Sequence, residues 1–388
     1  NGDSPPSSGE VIIGGLELTQ NYNYLKTQIG YVPQDDIVHS ELTVEECLWY
    51  SAKLRLQSAS DTEIKGKIAD VMRELNITHI KKNYVGKISG GQRKRVAIAS
   101  EILTDPLILF LDEPTSPLDP QTIEEFLKIL QNLAKKGTAV IMVTHKPEDL
   151  AYMDSVIFMA EGGFKVYQGA INGYLGFFKQ KDTVGVYAQL AGDNARKWIT
   201  GGQFNQSGNQ SAQPKMLQGQ GEVDFFKQYW WLTNRYMNIK MNDKVNTSIM
   251  LLQAPFIAFL VSVIFDDITP AVIFIVAVSS IWFGANNAAR EIVYENAIYK
   301  RERMFNLGIL PYIFSKLTVL SVFSVLQTLL FSIIMYIKFD ERNPNWTDHI
   351  VENFCAVCLI SIVATMMGLF LSAVSNTTEK VMTIVPLT

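Results

Sequence analysis

Four long apolar runs in the second half of the chain constrain its fold more than any other feature. A helix needs about 20 mostly apolar residues to cross a bilayer. The first run, "SIMLLQAPFIAFLVSVIF", carries no charge, and three further runs follow it. They predict an all-helical, polytopic membrane domain over residues 247–388. We predict spans at about 248–265, 270–289, 311–339 and 351–375, with the start of a fifth at 381.

The basic residues between these runs predict their orientation. The turn after the first span, "DDITP", has no Lys or Arg, whereas the loop after the second carries Arg290, Lys300, Arg301 and Arg303. Because basic loops are retained in the cytoplasm, we predict that this loop and the part of the chain before the first span are cytoplasmic. The chain is therefore predicted to be an integral, multi-pass membrane protein with the lipid bilayer as a partner.

The first half of the chain has the pattern of a parallel sheet covered by helices. "LILFL", residues 107–111, reads as a strand buried on both faces; "TAVIMVTH" is predicted as a second such strand and "DSVIFMA" as a third. Between the first two lies a helical segment that ends at Gly137. Its apolar face is predicted to hold Ile123, Phe126, Leu127, Leu130 and Leu133. We predict an α/β domain over residues 1–181.

Charge and cysteine content exclude some classes of protein. The formal net charge of −4 leaves no basic footprint, which argues against nucleic acid as a partner. With 3 cysteines, two of them in the apolar "CAVC", a disulfide framework is not expected. "CAVC" also lacks a second Cys/His pair, so no metal ligand is assigned there.

A connector is predicted between the two halves. Residues 182–221 are rich in Gly, Gln, Asn and Ser and predict a flexible linker. Residues 222–246 predict an amphipathic helix lying in the membrane interface, with Lys227, Arg235 and Lys240 as its polar residues. The alternative is an aromatic core helix. Its shared face is predicted to hold Phe225, Phe226, Tyr229, Trp230, Thr233 and Met237.

Chemistry-bearing residues follow the predicted strands, at the edge where parallel sheets bind ligands. Asp112 and Glu113 come directly after "LILFL", and His145 ends the next strand. An aspartate at this place can hold Mg²⁺ on a nucleotide, and the adjacent glutamate can polarise an attacking water. His145 is placed to donate a hydrogen bond towards a terminal phosphate. We predict a nucleotide-hydrolysing site here.

The stretch "SGGQ" has two interpretations. Ser89 and Gln92 fit a capping box at the start of the helical "RKRVAIASEIL". Two consecutive glycines are a poor choice for starting a helix, however, and they let backbone N–H groups approach an anion at a positive helix end. We favour phosphate binding.

Taken in order, "YVPQDD", "ISGGQ", "LILFLDEP", "SPLD" and "VTH" resemble the nucleotide-binding domain of ATP-binding cassette transporters. Ile88 and Pro117 are mild departures from that pattern. The implied fold is a P-loop-type α/β ATPase domain followed by the helical membrane domain. The resemblance implies ATP and Mg²⁺ as cofactors, with Gln34 and Asp112 at the metal and Glu113 and His145 as catalytic residues. It also implies nucleotide contacts by the Q-loop Gln34, the signature residues Ser89, Gly90, Gly91 and Gln92, the Walker B Asp112 and the D-loop Asp119.

The order of the domains, with "FFKQYWWLTNRY" and "REIVYENAIYKRER", resembles the G subfamily, the White or pleiotropic-drug-resistance type. This implies a dimeric half-transporter, an exporter in the plasma (inner) membrane, whose second subunit completes each nucleotide site. The segment "REIVYENAIYKRER" would include the helix that couples the domains. Sterol, lipid, drug and polysaccharide precursor stay open as substrates, and the polar Gln253, Asn286, Asn287 and Gln327 line a path or join helices.

One motif of that family is missing from the sequence. No G-x-x-x-x-G-K-[ST] phosphate loop occurs, and "VGKIS" lacks the upstream glycine. We expect a fragment cut at both ends, with the loop before Asn1, that binds ATP poorly alone. The alternative hypotheses are a catalytically silent membrane partner that lends its signature motif to an active subunit, and a soluble cassette protein, which the spans disfavour.

Overall fold

The computed structural model describes residues 6–116, 118–191, 224–339 and 349–385. Its strands are β1 Ile12–Ile13, β2 Leu16–Glu17, β3 Ile29–Val32, β4 Ile108–Asp112, β5 Ala139–Val143, β6 Ser155–Ala160 and β7 Phe164–Ala170. The helices of its first half are α1 Tyr22–Leu25, α2 Val44–Arg55, α3 Asp61–Glu74, α4 Gly90–Ile102, α5 Pro120–Lys135, α6 Tyr174–Phe178 and α7 Thr183–Leu190. Those of its second half are α8 Phe225–Asn242, α9 Lys244–Ile264, α10 Pro270–Ala288, α11 Glu291–Arg303, α12 Ile309–Phe339, α13 Ile350–Val374 and α14 Thr378–Ile384.

The chain forms two compact units that differ from the division expected from sequence. One unit comprises Asn1–Asp36, Ala69–His79 and Ser89–Gln220, and the other comprises Ile37–Ile68, Ile80–Ile88 and Gly221–Thr388. Helix α2, which lies within the first half of the sequence, therefore belongs to the same unit as the predicted membrane spans. The first is called the nucleotide unit below, and the second the membrane unit.

A parallel sheet of β3, β4 and β5 organises the nucleotide unit, with β4 in the middle. Leu109 and Leu111 of β4 share one face of the strand and are buried, whereas Ile108 and Phe110 on the opposite face are half-buried, so the expected burial on both faces is seen in part. Helix α5 buries Phe126, Leu127, Leu130 and Leu133, as its sequence predicts, and Ile123 is half-buried. Gly137, at φ +107°, follows its end and supplies the left-handed conformation that commonly closes a helix.

Two strand predictions are wrong in part. β6 pairs antiparallel with β7 and not with the parallel sheet, so "DSVIFMA" forms a hairpin. β5 is expected to be buried on both faces, yet Ile141 and Val143, which share one face, are 43% and 58% exposed. Its second edge has no partner strand among the described residues.

The hairpin and two short helices form a separate apolar core. Phe158 of β6 packs with Tyr174 and Phe178 of α6 and with Val186 and Leu190 of α7. Asp182 caps α7 by accepting a hydrogen bond from the Gly185 amide at 2.8 Å. The stretch predicted to be a flexible linker from residue 182 thus begins with a packed helix, and its residues 192–221 lie outside the described part of the chain.

Helix α8 exposes the aromatic residues that the alternative, an aromatic core helix, would bury. The aromatic Phe226 and Trp230 are 77% and 60% exposed, whereas Leu232, Tyr236 and Arg235 are buried. The exposed aromatics suit an interfacial helix. Arg235 was expected on the polar face and is instead one of the least exposed charges in the membrane unit.

Within the described part of the chain, four helices are long and apolar enough to cross a membrane, as the four apolar runs predict. They span Lys244–Ile264, Pro270–Arg303, Ile309–Phe339 and Ile350–Val374. The second combines α10 and the charged α11. Helix α14 begins at Thr378, a few residues before the predicted fifth run, and residues 386–388 lie outside the description.

Glycines allow α10 and α13 to pack closely. A Cβ on Gly284 would lie 2.0 Å from the Ser361 carbonyl oxygen, and one on Gly368 would lie 2.5 Å from that of Ala285. Small residues at helix interfaces let backbones approach within membranes. This contact holds the spans together without charged groups.

Candidate nucleotide site

Three parallel strands deliver the predicted site residues to one edge of the sheet. Gln34 follows β3 by two residues, Asp112 is the last residue of β4 with Glu113 next to it, and His145 follows β5 by two residues. Because the carboxyl ends of parallel strands meet at a single edge, side chains more than 100 residues apart in sequence come together.

Glu113 lies at the centre of this edge. Its Oε1 is 2.9 Å from His145 Nδ1, and its Oε2 accepts a hydrogen bond from Gln34 Nε2 at 3.3 Å. Its backbone has φ +41°, an uncommon conformation for a residue with a side chain. The Glu113 amide donates to the Val143 carbonyl at 2.9 Å, which fixes the strained turn to β5. The pairing of β4 with β5 thus fixes the position of Glu113.

Asp112 presents a carboxylate beside this centre. It pairs with Val143 in the β4–β5 register and is half-buried. Burial, and after it the negative charge of Asp112, raises the pKa of Tyr31 in β3 above its usual value. The carboxylate therefore acts on the neighbouring strand at the same edge. Carboxylate and amide oxygens are the ligands that Mg²⁺ prefers, so Asp112 and Gln34 fit a magnesium site chemically.

The signature stretch forms a capping box. The Gln92 amide donates to Ser89 Oγ at 3.3 Å, and the Ser89 amide donates to Gln92 Oε1 at 3.1 Å. Ser89 and Gly90 are exposed at the start of the 13-residue α4. The glycine after them has a packing reason, because a Cβ on Gly91 would lie 2.9 Å from Leu118 Cδ2. Phosphate binding by Ser89 and Gly90 stays a prediction.

Asp119 caps helix α5 in the structure. Its carboxylate accepts hydrogen bonds from the Thr122 hydroxyl at 2.6 Å and from the Thr122 amide at 3.1 Å. These two bonds, in that order, lower the pKa of Asp119. A capping role is therefore visible, and the D-loop role implied by resemblance stays a prediction.

A buried carboxylate behind the site was missed at the level of sequence. Asp149 is fully buried and accepts hydrogen bonds from Thr115 Oγ1 at 2.8 Å and Thr144 Oγ1 at 2.6 Å. Thr115 lies two residues after Glu113, and Thr144 precedes His145. Asp149 thus joins the loops that carry both. The only signal in the sequence is an acidic residue four positions after the histidine, which by itself is common.

The free edge of β5 faces a cavity of about 850 Å³ within the nucleotide unit. The cavity is bounded by β5 on one side and β6 on the other, and both strands expose apolar side chains towards solvent. Among the described residues, no strand pairs with the outer edge of β5 or with the edge of β6 that faces away from β7. The sheet therefore has room for another strand beside β5.

Helix α2 joins α8 within the membrane unit. The Lys53 ammonium lies 4.7 Å from the ring centroid of Trp49 and 4.8 Å from that of Trp231, a cation–π arrangement. Asn238 Nδ2 donates to the Tyr50 hydroxyl at 2.5 Å. Burial, and after it the charge of Glu46, raises the pKa of Tyr50 to about 12.

A bidentate ion pair joins α8 to the charged helix α11. Arg235 Nη1 and Nη2 lie 2.5 and 2.9 Å from the two carboxylate oxygens of Glu302. The side chains are 5% and 12% exposed, so the pair is shielded from water. The sequence predicts α11 as part of the coupling segment, but no pattern in it marks Arg235 as the partner of Glu302.

Three of the four polar residues singled out in the spans hydrogen-bond to one another. Gln253 Nε2 donates to Asn287 Oδ1 at 3.1 Å, and Asn287 Nδ2 donates to Gln327 Oε1 at 2.6 Å. Gln327 Nε2 in turn donates to the Met250 carbonyl at 2.5 Å. The chain of bonds crosses α9, α10 and α12, which favours the interpretation that these residues join helices.

Comparisons with known proteins define the class. Residues 1–116 match the family described as ABC transporter, and residues 227–388 match the family described as ABC-2 type transporter. Together the two matches cover more than half of the chain, with the ATPase domain first and the membrane domain second. The chain belongs to the ATP-binding cassette transporters.

Its relatives include members of the G family. ABC transporter ATP-binding/permease protein Rv1747 of Mycobacterium tuberculosis is 28% identical over 98% of this chain and 46% of its own length. ABC transporter G family member 28 of Arabidopsis thaliana is 40% identical over 42% of this chain and 15% of its own. The broad substrate specificity ATP-binding cassette transporter ABCG2 of Bos taurus is 38% identical over 44% and 27%. The chain thus spans less than half the length of each.

Proposed function

We propose that this chain is part of an ATP-driven membrane exporter, a half-transporter that dimerises in the plasma (inner) membrane with its nucleotide domain in the cytoplasm. The observation that carries the proposal is the position of Glu113, which contacts Gln34 and His145 at the carboxyl edge of the sheet. The family and the four candidate spans support the membrane part.

Glu113 is proposed as the base that polarises the attacking water. A carboxylate offers about four lone-pair positions, and the contacts with Gln34 and His145 use two of them. The others are left for water. Nδ1 of His145 lies against Glu113, so Nε2 is the ring nitrogen left for a terminal phosphate. A hydrogen bond from Nε2 to a phosphate oxygen, together with one from Nδ1 to Glu113, requires both ring nitrogens to carry a proton.

Asp112 and Gln34 would hold Mg²⁺ through their side-chain oxygens. The ion would supply positive charge that offsets the charge of the nucleotide phosphates. Ser89 and Gly90, exposed at the positive end of α4, are proposed to bind phosphate across the dimer interface. Asp119 is proposed to lie near the same interface.

The phosphate loop is proposed to enter on a strand beside β5. The cavity next to β5 has the room, and a strand parallel to β5 would deliver a following loop to the edge that holds Glu113. Alternate amides of a parallel strand point to opposite sides. Since the Ala139 amide donates to Leu107 in the direction of β4, those of Val140 and Met142 point to the open side.

The substitution Glu113→Gln in the full-length protein tests the proposed function. Because the amide keeps the shape but is not basic, ATP binding should persist while turnover falls by about 10²- to 10⁴-fold. Glu124→Gln is the matched control, since Glu124 is exposed and, among the described residues, forms its ion pair with Lys128 of the same helix; it should leave turnover intact. Undiminished hydrolysis in Glu113→Gln contradicts the assignment. An unsubstituted protein that binds no ATP favours the silent membrane partner instead.

A further inference from the structure

A fully buried lysine lies in the helix that begins at the signature stretch. Lys94 of α4 has a side chain that is 0% exposed. Its ammonium donates to the carbonyls of Pro33 at 3.1 Å and Gln34 at 2.8 Å, and it forms an ion pair with Asp36 at 2.9 Å. An ammonium has three protons; two of them meet the carbonyls, while the Asp36 carboxylate supplies the opposite charge, although its Oδ1 makes no hydrogen bond within the described residues. A buried charge requires partners of both kinds.

These contacts hold a short loop at its first two residues and at its last residue. The loop of residues 33–36 follows β3, and its Gln34 side chain reaches Glu113 at 3.3 Å. The Lys94 ammonium donates to the backbone carbonyls on either side of that side chain. The backbone of Lys94 itself belongs to α4, whose first turn contains the exposed Gly90. One ammonium therefore connects the start of the signature helix with the residue that contacts the proposed base.

We propose that Lys94 is a positioning residue, which makes the Gln34 loop move with helix α4. The consequence for catalysis rests on the proposed function: when a ligand engages the start of α4, the loop follows, and Gln34 stays in register with Glu113. Removal of the ammonium uncouples the two, because a carbonyl that loses a charged donor gains freedom to rotate towards water. The effect is transmitted through a contiguous set of contacts.

Hydrogen exchange of the full-length protein without nucleotide tests the physical part. Lys94→Met keeps the length of the side chain and removes its charge, and Asp36→Asn loosens the same pair from the other side. Amides 34–36 should exchange about ten-fold faster in each, because a local opening costs less once the charged contacts are lost. Ile98→Ala is the matched control, a truncation of a fully buried side chain of the same helix, and it should leave these amides unchanged relative to the core.

Steady-state kinetics test the catalytic part. Lys94→Met should lower kcat by about ten-fold or more while the KM for ATP changes by less than about two-fold, because the other groups proposed to bind the nucleotide, Asp112, Ser89 and Gly90, stay in place. The proposal is overturned if loop exchange is unchanged in both Lys94→Met and Asp36→Asn, or if Ile98→Ala accelerates it equally. Faster exchange with unaltered kcat also overturns it. Full turnover in Glu113→Gln would instead remove the proposed function and leave the exchange result standing.

Discussion

The edge that carries Glu113 and the ion pair of Arg235 represent two opposite uses of charge. At the sheet edge the side chains of Glu113 and His145 are 28% and 63% exposed, whereas those of Arg235 and Glu302 are 5% and 12% exposed. The open contacts leave lone pairs for a ligand. The pair of Arg235 and Glu302 is closed: it makes two parallel hydrogen bonds and leaves no room for a ligand. The first arrangement suits chemistry, and the second fixes helices α8 and α11 to each other.

The largest predicted effect breaks the closed pair. Arg235→Met should lower the free energy of unfolding by about 3–5 kcal/mol, because it leaves Glu302 buried without its partner. Chemical unfolding of the protein in detergent measures this. Replacing both partners with apolar residues should recover most of the loss. The exposed pair of Lys128 and Glu124 provides the control, since Lys128→Met should lower the free energy of unfolding far less. Equal losses of unfolding free energy in Arg235→Met and Lys128→Met would contradict the contrast between the buried and the exposed ion pair.

An intermediate effect is predicted for the buried part of the nucleotide site. Asp149→Leu should lower the free energy of unfolding by about 1–3 kcal/mol, because the hydroxyls of Thr115 and Thr144 lose their acceptor. Turnover should fall as well, since these threonines hold the loops of Glu113 and His145.

Asp154→Leu, at an exposed position in the same unit, is the control for Asp149→Leu and should change stability by less than about 0.5 kcal/mol. If Asp149→Leu unfolds no more easily than Asp154→Leu, the hydrogen bonds of Asp149 do not stabilise the loops.

The two regions also differ in what their sequence predicts. Strand β4 and the residues after it follow from a continuous apolar run and from the rule that parallel strands end at one edge. The spans follow from hydropathy in the same way. In each case the signal is local, and a general rule supplies the tertiary contact.

The remaining contacts depend on partners that lie far apart in sequence. Arg235 and Glu302 are 67 positions apart, and Lys94 meets Gln34 across 60. No neighbouring residue in the sequence marks these partners. Arg235, Glu302 and Lys94 each resemble an ordinary surface charge. The prediction that β6 joins the parallel sheet was wrong because its apolar run is equally typical of a hairpin. Pairing partners, not the run itself, decide between the two.

The smallest predicted effect concerns His39, a titratable group in the closed region. Its side chain is 6% exposed, and its Nε2 has no hydrogen-bond partner among the described residues. Burial, and after it the positive charge of Arg235, holds the pKa of His39 well below its usual value of 6.5. The other charged groups that act on His39 are Glu302, Lys316 and Arg301.

The sign of the pH dependence follows from this lowered pKa. Between the lowered pKa of folded His39 and 6.5, the unfolded chain binds a proton that the folded chain does not. Stability should therefore fall as the pH drops below 6.5, by up to about 1.4 kcal/mol per pH unit, and should not depend on His39 above it.

In His39→Gln this part of the slope should vanish, while His79→Gln, at an exposed position, should retain it. Unfolding curves at pH 5.5 to 7.5, spaced by about half a unit around the usual histidine pKa, measure the slope. Equal slopes in the unsubstituted protein and His39→Gln would show that His39 takes up its proton without cost, and the membrane unit would then be open to water at this point.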